Sequence, residues 1–305
     1  MLKEKSEKAN IFNIVHGSFV DGWGIRTTVF LKGCPLRCIW CCNPESQLMK
    51  PELQYIEEHC DGCGRCIDKC PKGAIIQVCP GEKVSIDRGR CDGCGKCEKV
   101  CWPGAFNIWG KERSAEDVFA ECLRDEKFYK ESGGGVTLSG GEATLWPLFC
   151  LEMIERCHER DIHVALDTCG YITTDEGMEV FKNADTLLFD IKGLAPDVHK
   201  KNTGKSNEII LKNLYLAEEL GKDVIVRYPV IPNHNMDEAP DIAKLLSGLK
   251  CVHRVDIIPF HKFGGGKYSQ LGRVYDIDED TLTKEAQDAL VKMFEERGLK
   301  VQLGG

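Results

Sequence analysis

The sequence predicts an α/β protein: a partial barrel of six strand–helix units, interrupted after its first unit by a small cysteine-rich block. Three observations carry that expectation. Short apolar runs alternate with amphipathic stretches over most of the chain. One segment breaks this alternation with cysteine, glycine and lysine. That segment is written twice. With 305 residues, 42% hydrophobic and 29% charged, the chain is long enough for one substantial core and an annex.

In chain order, residues 26–31 (RTTVFL) read as a buried strand, and Cys34-x3-Cys38-x2-Cys41 follows at once. From about Pro51 to Trp109 the hydrophobic periodicity weakens. There HCDGCGRCIDKCPKGAI recurs as RCDGCGKCEKVCWPGAF, an internal duplication. Trp102 stands where the first copy has Pro71, so the second turn is expected to differ in shape. Ser114 with Asp117 makes a helix start. The strands that follow are VTLS at 136–139, HVALD at 163–167, TLLFD at 186–190, VIVRYPV at 224–230 and VDIIP at 255–259. Helical stretches fall at 148–160, 174–182, 207–220 and 238–247. A last helix at about 281–296 sets Leu282, Ala286, Leu290 and Met293 on one face and ends before Gly298. Such alternation implies a parallel sheet with right-handed crossovers, with chemistry at the C-terminal strand ends. The expected division is 1–50 for the first part of the barrel, 51–110 for the insert and 111–305 for the remainder.

Eighteen cysteines in a chain with no apolar run near the ~18 residues of a membrane span point to metal or cluster ligation rather than disulfides. The start, MLKEKSEKANIFN, is too charged for a secretory signal, so a cytoplasmic protein is expected. The net charge of −8 and pI near 5.6 argue against nucleic acid as the main partner. Cys60-x2-Cys63-x2-Cys66-x3-Cys70 and Cys91-x2-Cys94-x2-Cys97-x3-Cys101 have the spacing of a two-cluster ferredoxin unit. Chance yields about 0.004 occurrences of one such ladder. The competing account is structural zinc, but zinc sites generally use two separated ligand pairs. In duplicated ladders the fourth cysteine crosses over: one 4Fe–4S cluster takes Cys60, Cys63, Cys66 and Cys101, the other Cys91, Cys94, Cys97 and Cys70. The triplet Cys34, Cys38, Cys41 is one ligand short of a full shell, which leaves an iron open to bind and activate a molecule. By chance alone it would occur about 0.06 times.

The triplet sits in KGCPLRCIWCCNPES and is trailed by SGGEA at 139–143, LDTCG at 166–170, FDIKG at 189–193 and PFHKFGGG at 259–266. Each lies at a predicted strand end. With this set the chain resembles the radical S-adenosylmethionine enzymes. More narrowly it resembles the glycyl-radical-enzyme activating enzymes that carry a ferredoxin-like two-cluster insert, from about Ile11 to the C-terminal VQLGG. The resemblance implies three 4Fe–4S clusters and S-adenosylmethionine chelated by the triplet cluster. It implies Trp40 and the backbone through Cys41 and Cys42 beside the adenine, Gly140 and Gly141 at the methionine amine, and Glu142 supporting that edge. Asp190, Ile191 and Lys192 match the family's Asp-Leu-Lys segment, with Lys192 suited to a carboxylate or ribose contact. His261 would lie near the nucleoside, and Asp167 with Thr168 would bind a monovalent cation. A reduced flavodoxin or ferredoxin would supply the electron, and a 5′-deoxyadenosyl radical would remove a hydrogen from a glycine Cα of a large partner enzyme. The protein itself is expected to be a monomer.

Blander readings compete residue by residue. Gly140–Glu142 can be a plain strand-to-helix turn, Asp190 and Lys192 a surface ion pair worth ~0–1 kcal/mol, and His261 a structural histidine. Cys42, Cys79, Cys122, Cys150, Cys157, Cys169 and Cys251 read as buried or idle thiols. Two rival functions remain: a radical enzyme acting directly on a small molecule or peptide, and a ferredoxin-type electron carrier fused to an α/β domain. The family's usual Asp-Gly-Pro-Gly-Ile-Arg is Asp21-Gly22-Trp23-Gly24-Ile25-Arg26 here, and Cys42 replaces His or Ala. Both departures are expected to face the partner's glycine loop.

Overall fold

The computed structural model describes residues 6–304; residues 1–5 of the charged N-terminal stretch, and Gly305, lie outside the described residues. The chain opens with β1 (Lys8–Ser18) and β2 (Arg26–Leu31), then makes an excursion containing β3 (Glu52–Tyr55), β4 (Ile75–Ile76), β5 (Ser85–Ile86) and β6 (Phe106–Trp109). It returns through β7 (Lys111–Ser114), α1 (Ala115–Cys122) and α2 (Glu126–Ser132). Strand–helix units follow: β8 (Gly135–Gly140), α3 (Pro147–His158), β9 (His163–Thr168), α4 (Asp175–Asn183), β10 (Thr186–Asp190), α5 (Pro196–Thr203) and α6 (Glu208–Glu219). The chain closes with β11 (Asp223–Val230), α7 (Ala239–Leu246), β12 (Val252–Pro259), α8 (Gly265–Gln270), α9 (Lys284–Glu295) and β13 (Val301–Leu303).

Nine strands form one open sheet in the order β13-β12-β11-β10-β9-β8-β2-β1-β7. From β2 to β13 every pairing is parallel. The six expected strands are extended by short β13, and β1 and β7 add an antiparallel edge that the sequence did not signal. Helix caps follow local chemistry. Ser114 accepts from the Asp117 N–H as expected, and Thr174 and Thr283 do the same for α4 and α9. On α9, Phe294 is more deeply buried than the expected Met293.

Alternation along each strand separates two environments. Val29 and Leu31, Val136 and Leu138, Val164 and Leu166, Leu187 and Phe189, Val224 and Val226, and Val255 and Ile257 all join the core shared with the helices. The residues between them, including Thr28, Thr137, Ser139, Asp167, Asp190, Arg227 and Asp256, face the concave side. The inside of the sheet therefore carries a cluster of polar and charged side chains among buried apolar ones such as Ala165, Leu188 and Ile225.

The excursion has its own small core around Leu53, Ile75, Val84, Phe106 and Ile108. Its spine is the antiparallel pair β3–β6, with rungs Glu52–Trp109, Leu53–Ile108 and Tyr55–Phe106. Glu52 anchors the lower end, reaching the buried Lys32 at 3.1 Å and pairing with Arg273.

Candidate active site

The two ladders fold into two cages with crossed membership. Cys60, Cys63, Cys66 and Cys101 surround one cavity of about 280 Å3. Cys91, Cys94, Cys97 and Cys70 surround another of about 320 Å3. Among the described residues no three His, Cys, Asp or Glu side chains converge tightly enough for a single ion. The copies match in detail. The Cys63 and Cys94 N–H groups donate to Asp61 and Asp92 at 3.1 and 3.2 Å. The Ala74 and Ala105 N–H groups donate to the sulfurs of Cys70 and Cys101 at 3.3 and 3.2 Å. Backbone donors aimed at sulfur suit thiolates that hold a cluster. The turns after Cys70 and Cys101 close alike, with Gly73 and Gly104 each donating to the cysteine carbonyl at 3.2 Å. The expected difference in shape at Trp102 is therefore absent, because Pro103 restores a proline one position later. Trp102 is instead 84% exposed, with the Arg65 guanidinium 4.6 Å above its ring.

The cages are ordered along the spine. Leu53 and Ile108 line the Cys91 cage, and Phe106 lines the Cys60 cage one step farther from Glu52. A Cβ at Gly93 would lie 2.5 Å from the Pro51 carbonyl oxygen, so the Cys91 cage also packs against the segment leading back to the barrel.

The triplet loop leaves the C-terminal end of β2, with Cys34, Cys38 and Cys41 all half-buried. Burial pushes the Cys38 thiol up to about 12 against the pull of Lys192, and Cys41 also lies high through burial. Cys34 lies low because the Cys169 thiol hydrogen-bonds it. Cys169 is buried, as expected. Of the other thiols read as buried or idle, Cys122, Cys150, Cys157 and Cys251 are buried while Cys42 and Cys79 are exposed.

Gly140 and Gly141 owe their lack of a side chain to this loop. A Cβ at Gly140 would lie 2.1 Å from the Leu31 carbonyl oxygen, and one at Gly141 would lie 2.1 Å from that of Gly33. The Gly141 and Glu142 N–H groups donate to those same two carbonyls at 2.9 and 2.7 Å. The fully buried Glu142 carboxylate then accepts from Thr144, Thr168 and the Cys169 N–H at 2.8 to 3.3 Å. Glu142 therefore ties three strand ends together.

The paired side chains expected to share a cation diverge. Asp167 faces the concave side, accepting from Ser139 at 2.6 Å and lying 3.3 Å from Arg227, whereas the Thr168 hydroxyl is committed to Glu142. Lys192 meets Asp190 at 2.5 Å. Burial pulls the Lys192 ammonium down, but Asp190, Cys38 and Cys169 together hold it well above its ordinary value. Ile191 lies in the helix-side core, leaving only its backbone for a ligand. Trp40, Cys42 and His261 converge on one cavity of about 310 Å3, floored by Pro229, Ile231, Ile258 and Pro259 at the ends of β11 and β12. The His261 ring also caps a short turn by accepting from the Phe263 N–H at 3.4 Å.

Trp23 corrects an expectation. Its indole N–H donates to Asp223 at 2.9 Å and Arg254 lies 4.5 Å over its ring, so it sits at the N-terminal strand ends, opposite Cys42. Arg227 and Asp21 were missed. The Arg227 guanidinium lies 3.8 Å from Asp21 and 3.3 Å from Asp167, and its Nε is buried without a hydrogen-bond partner among the described residues. An arginine inside VIVRYPV, in a parallel strand that should be apolar throughout, was the available signal.

A model of the radical SAM superfamily matches residues 88–246, and a 4Fe–4S dicluster model matches residues 59–106. The triplet lies upstream of the first match. The trans-4-hydroxy-L-proline dehydratase activating enzyme of Clostridioides difficile is 42% identical over 97% of this chain and 99% of its own length. The (2S)-3-sulfopropanediol sulfolyase activating enzyme of Bilophila wadsworthia is 41% identical over 90% and 92%. The benzylsuccinate synthase activating enzyme of Thauera aromatica is 37% identical over 97% and 92%. In fold alone, the Streptococcus suis protein SuiB bound to precursor peptide SuiA matches with a TM-score of 0.52 at 14% identity, over 64% of this chain and 43% of that one.

Proposed function

Since this chain belongs to the radical S-adenosylmethionine superfamily, as one of its glycyl-radical-enzyme activating enzymes, we propose how its own residues divide the work. The activity is cleavage of S-adenosylmethionine and installation of a glycyl radical on a partner glycyl radical enzyme. Cys34, Cys38 and Cys41 hold the cluster that meets the cofactor, and the two crossed cages hold two more, three in all. When bound, the reduced triplet cluster supplies the electron that breaks the sulfonium C–S bond. The protein's share is to position and to exclude water.

The observation that carries this reading is convergence at one end of the sheet. The triplet loop, the Lys192 ammonium and the slot of Trp40, Cys42 and His261 all gather at the C-terminal strand ends. The apolar slot suits an adenine, and Lys192 suits a carboxylate. Gly140 and Gly141 hold the loop by backbone contacts, and Glu142 locks the adjoining strand ends. Asp190 orients Lys192. A monovalent cation would take the Asp167 carboxylate with backbone oxygens rather than both side chains of the expected pair.

The client is a glycyl radical enzyme of the dehydratase, lyase or succinate-synthase classes, because relatives named for each lie between 37% and 42% identity. A reduced flavodoxin or ferredoxin is the donor, and the activase works as a cytoplasmic monomer. The test is anaerobic incubation of reduced protein, S-adenosylmethionine and candidate clients. One client should develop a glycine-centred doublet by EPR. Silence from all of them, with turnover of a small molecule instead, refutes the assignment.

A further inference from the structure

The hydroxyls of Tyr268 and Tyr275 are buried and have no hydrogen-bonding partner among the described residues. The two rings touch, with centroids 4.7 Å apart, and Tyr268 is only 7% exposed. A buried hydroxyl without a partner costs about 1–3 kcal/mol. Two in adjacent rings therefore point to an acceptor outside the polypeptide's nitrogens and oxygens.

Their position says which acceptor. The α8 segment that carries Tyr268 lies directly on the triplet loop: a Cβ at Gly264 would meet the Cys42 Cα at 2.9 Å and the Cys41 carbonyl oxygen at 3.1 Å. Lys267 fastens it there, reaching Glu45 at 2.6 Å and Asn43 at 3.0 Å. Arg273 bonds the Pro44 carbonyl. Tyr275 packs against the apolar group of Trp40, Ile231 and Phe260 that also includes Cys38. The arrangement recurs at the Cys60 cage. There the Tyr55 hydroxyl is buried without an oxygen or nitrogen partner, beside the Cys60 thiol, with its ring 5.3 Å from Phe106.

We propose that Tyr268 and Tyr275 are positioning residues for the cluster held by Cys34, Cys38 and Cys41, donating O–H hydrogen bonds to its sulfur atoms from the α8 side. This rests on the reading of the triplet as a cluster site. Donors to sulfur spread the negative charge of the reduced state and raise its potential. One electron arrives from the reduced carrier protein, and each hydroxyl keeps its proton throughout.

The test uses the anaerobically reconstituted holoenzyme with Tyr268→Phe, Tyr275→Phe and the double change. Tyr228→Phe is the control, since its buried hydroxyl donates to the Asn235 carbonyl at 2.7 Å. EPR-monitored titration of the cluster whose signal responds to S-adenosylmethionine gives its midpoint, and pulsed EPR in H2O and D2O gives its exchangeable protons. Each triplet-side variant should lower the reduced-to-oxidised ratio at fixed potential about tenfold, a 59 mV shift for one electron. Each should also lose an exchangeable-proton coupling, while Tyr228→Phe changes neither. An unchanged midpoint and coupling in the double variant would overturn the proposal and assign both hydroxyls to water. A wild-type holoenzyme in which S-adenosylmethionine alters no cluster signal would instead overturn the triplet reading, and the proposal with it.

Discussion

A methyl group at Gly141 would strike the framework of the cysteine loop itself. Its Cβ would lie 2.1 Å from the Gly33 carbonyl oxygen and 2.9 Å from that of Ser46. Both are backbone atoms that cannot rotate away. Relief requires β8 and the loop to separate, which strains the bonds from Gly141 to Leu31 at 2.9 Å and from Glu142 to Gly33 at 2.7 Å. Overpacking of this kind costs about 1–3 kcal/mol, and each weakened backbone bond adds about 0.5–1.5 kcal/mol. Gly141→Ala should therefore destabilise the protein by about 2–6 kcal/mol, a large share of a typical 5–15 kcal/mol. Urea unfolding under anaerobic conditions measures this directly. Iron analysis should show the insert clusters retained and the S-adenosylmethionine-responsive signal reduced. Wild-type stability together with a full signal would refute the inference that this crossing holds the loop.

Four further outcomes are expected. Cys101→Ser should deplete the same cluster as Cys66→Ser, and Cys70→Ser the same one as Cys97→Ser; EPR of the single variants would reveal uncrossed cages if the pairs exchange. Lys192→Met should raise the KM for S-adenosylmethionine while leaving iron content unchanged; loss of iron instead would place Lys192 in cluster assembly. Burial, opposed by Arg227, holds the Asp167 carboxyl up to about 6 against an ordinary 3.8. In protein free of a cation at this carboxylate, the folded state then carries the extra proton between these values, so stability from this group falls as pH rises from about 4 to about 6 and is flat above. Asp167→Asn should abolish that slope in denaturation curves. Trp102→Ala removes an exposed ring and should shift unfolding by less than about 0.5 kcal/mol; a larger loss would mean the Arg65 contact braces the insert.

The parts legible in the sequence were those with a local cause. All six core strands appeared because β-branched and aromatic runs are bounded by glycine, proline and charge, and the cages appeared because one duplication set eight cysteines in two matching ladders. Strand β1 escaped notice because KANIFNIVHGS mixes apolar and polar residues without a clean period. The roles of Tyr268, Tyr275 and Asp21 depend on which loops meet over the sheet, and no spacing encodes that. The Trp23 expectation failed for a related reason. Proximity to the cysteine loop in sequence says nothing about which end of β2 a residue occupies, and six strand residues carry the chain across the whole sheet.

The rung between Glu52 and Trp109 brings the two ends of the excursion side by side at the barrel wall, where β1 and β7 already run together. Such a doorway lets a whole cysteine-rich annex be acquired or discarded without rethreading the sheet. The exchange leaves a trace, however. Lys32 is wholly enclosed and bonded to Glu52 and to the Glu45 carbonyl, so a barrel stripped of its annex would leave that ammonium without its carboxylate partner. An annex-free descendant should therefore have lost the lysine as well.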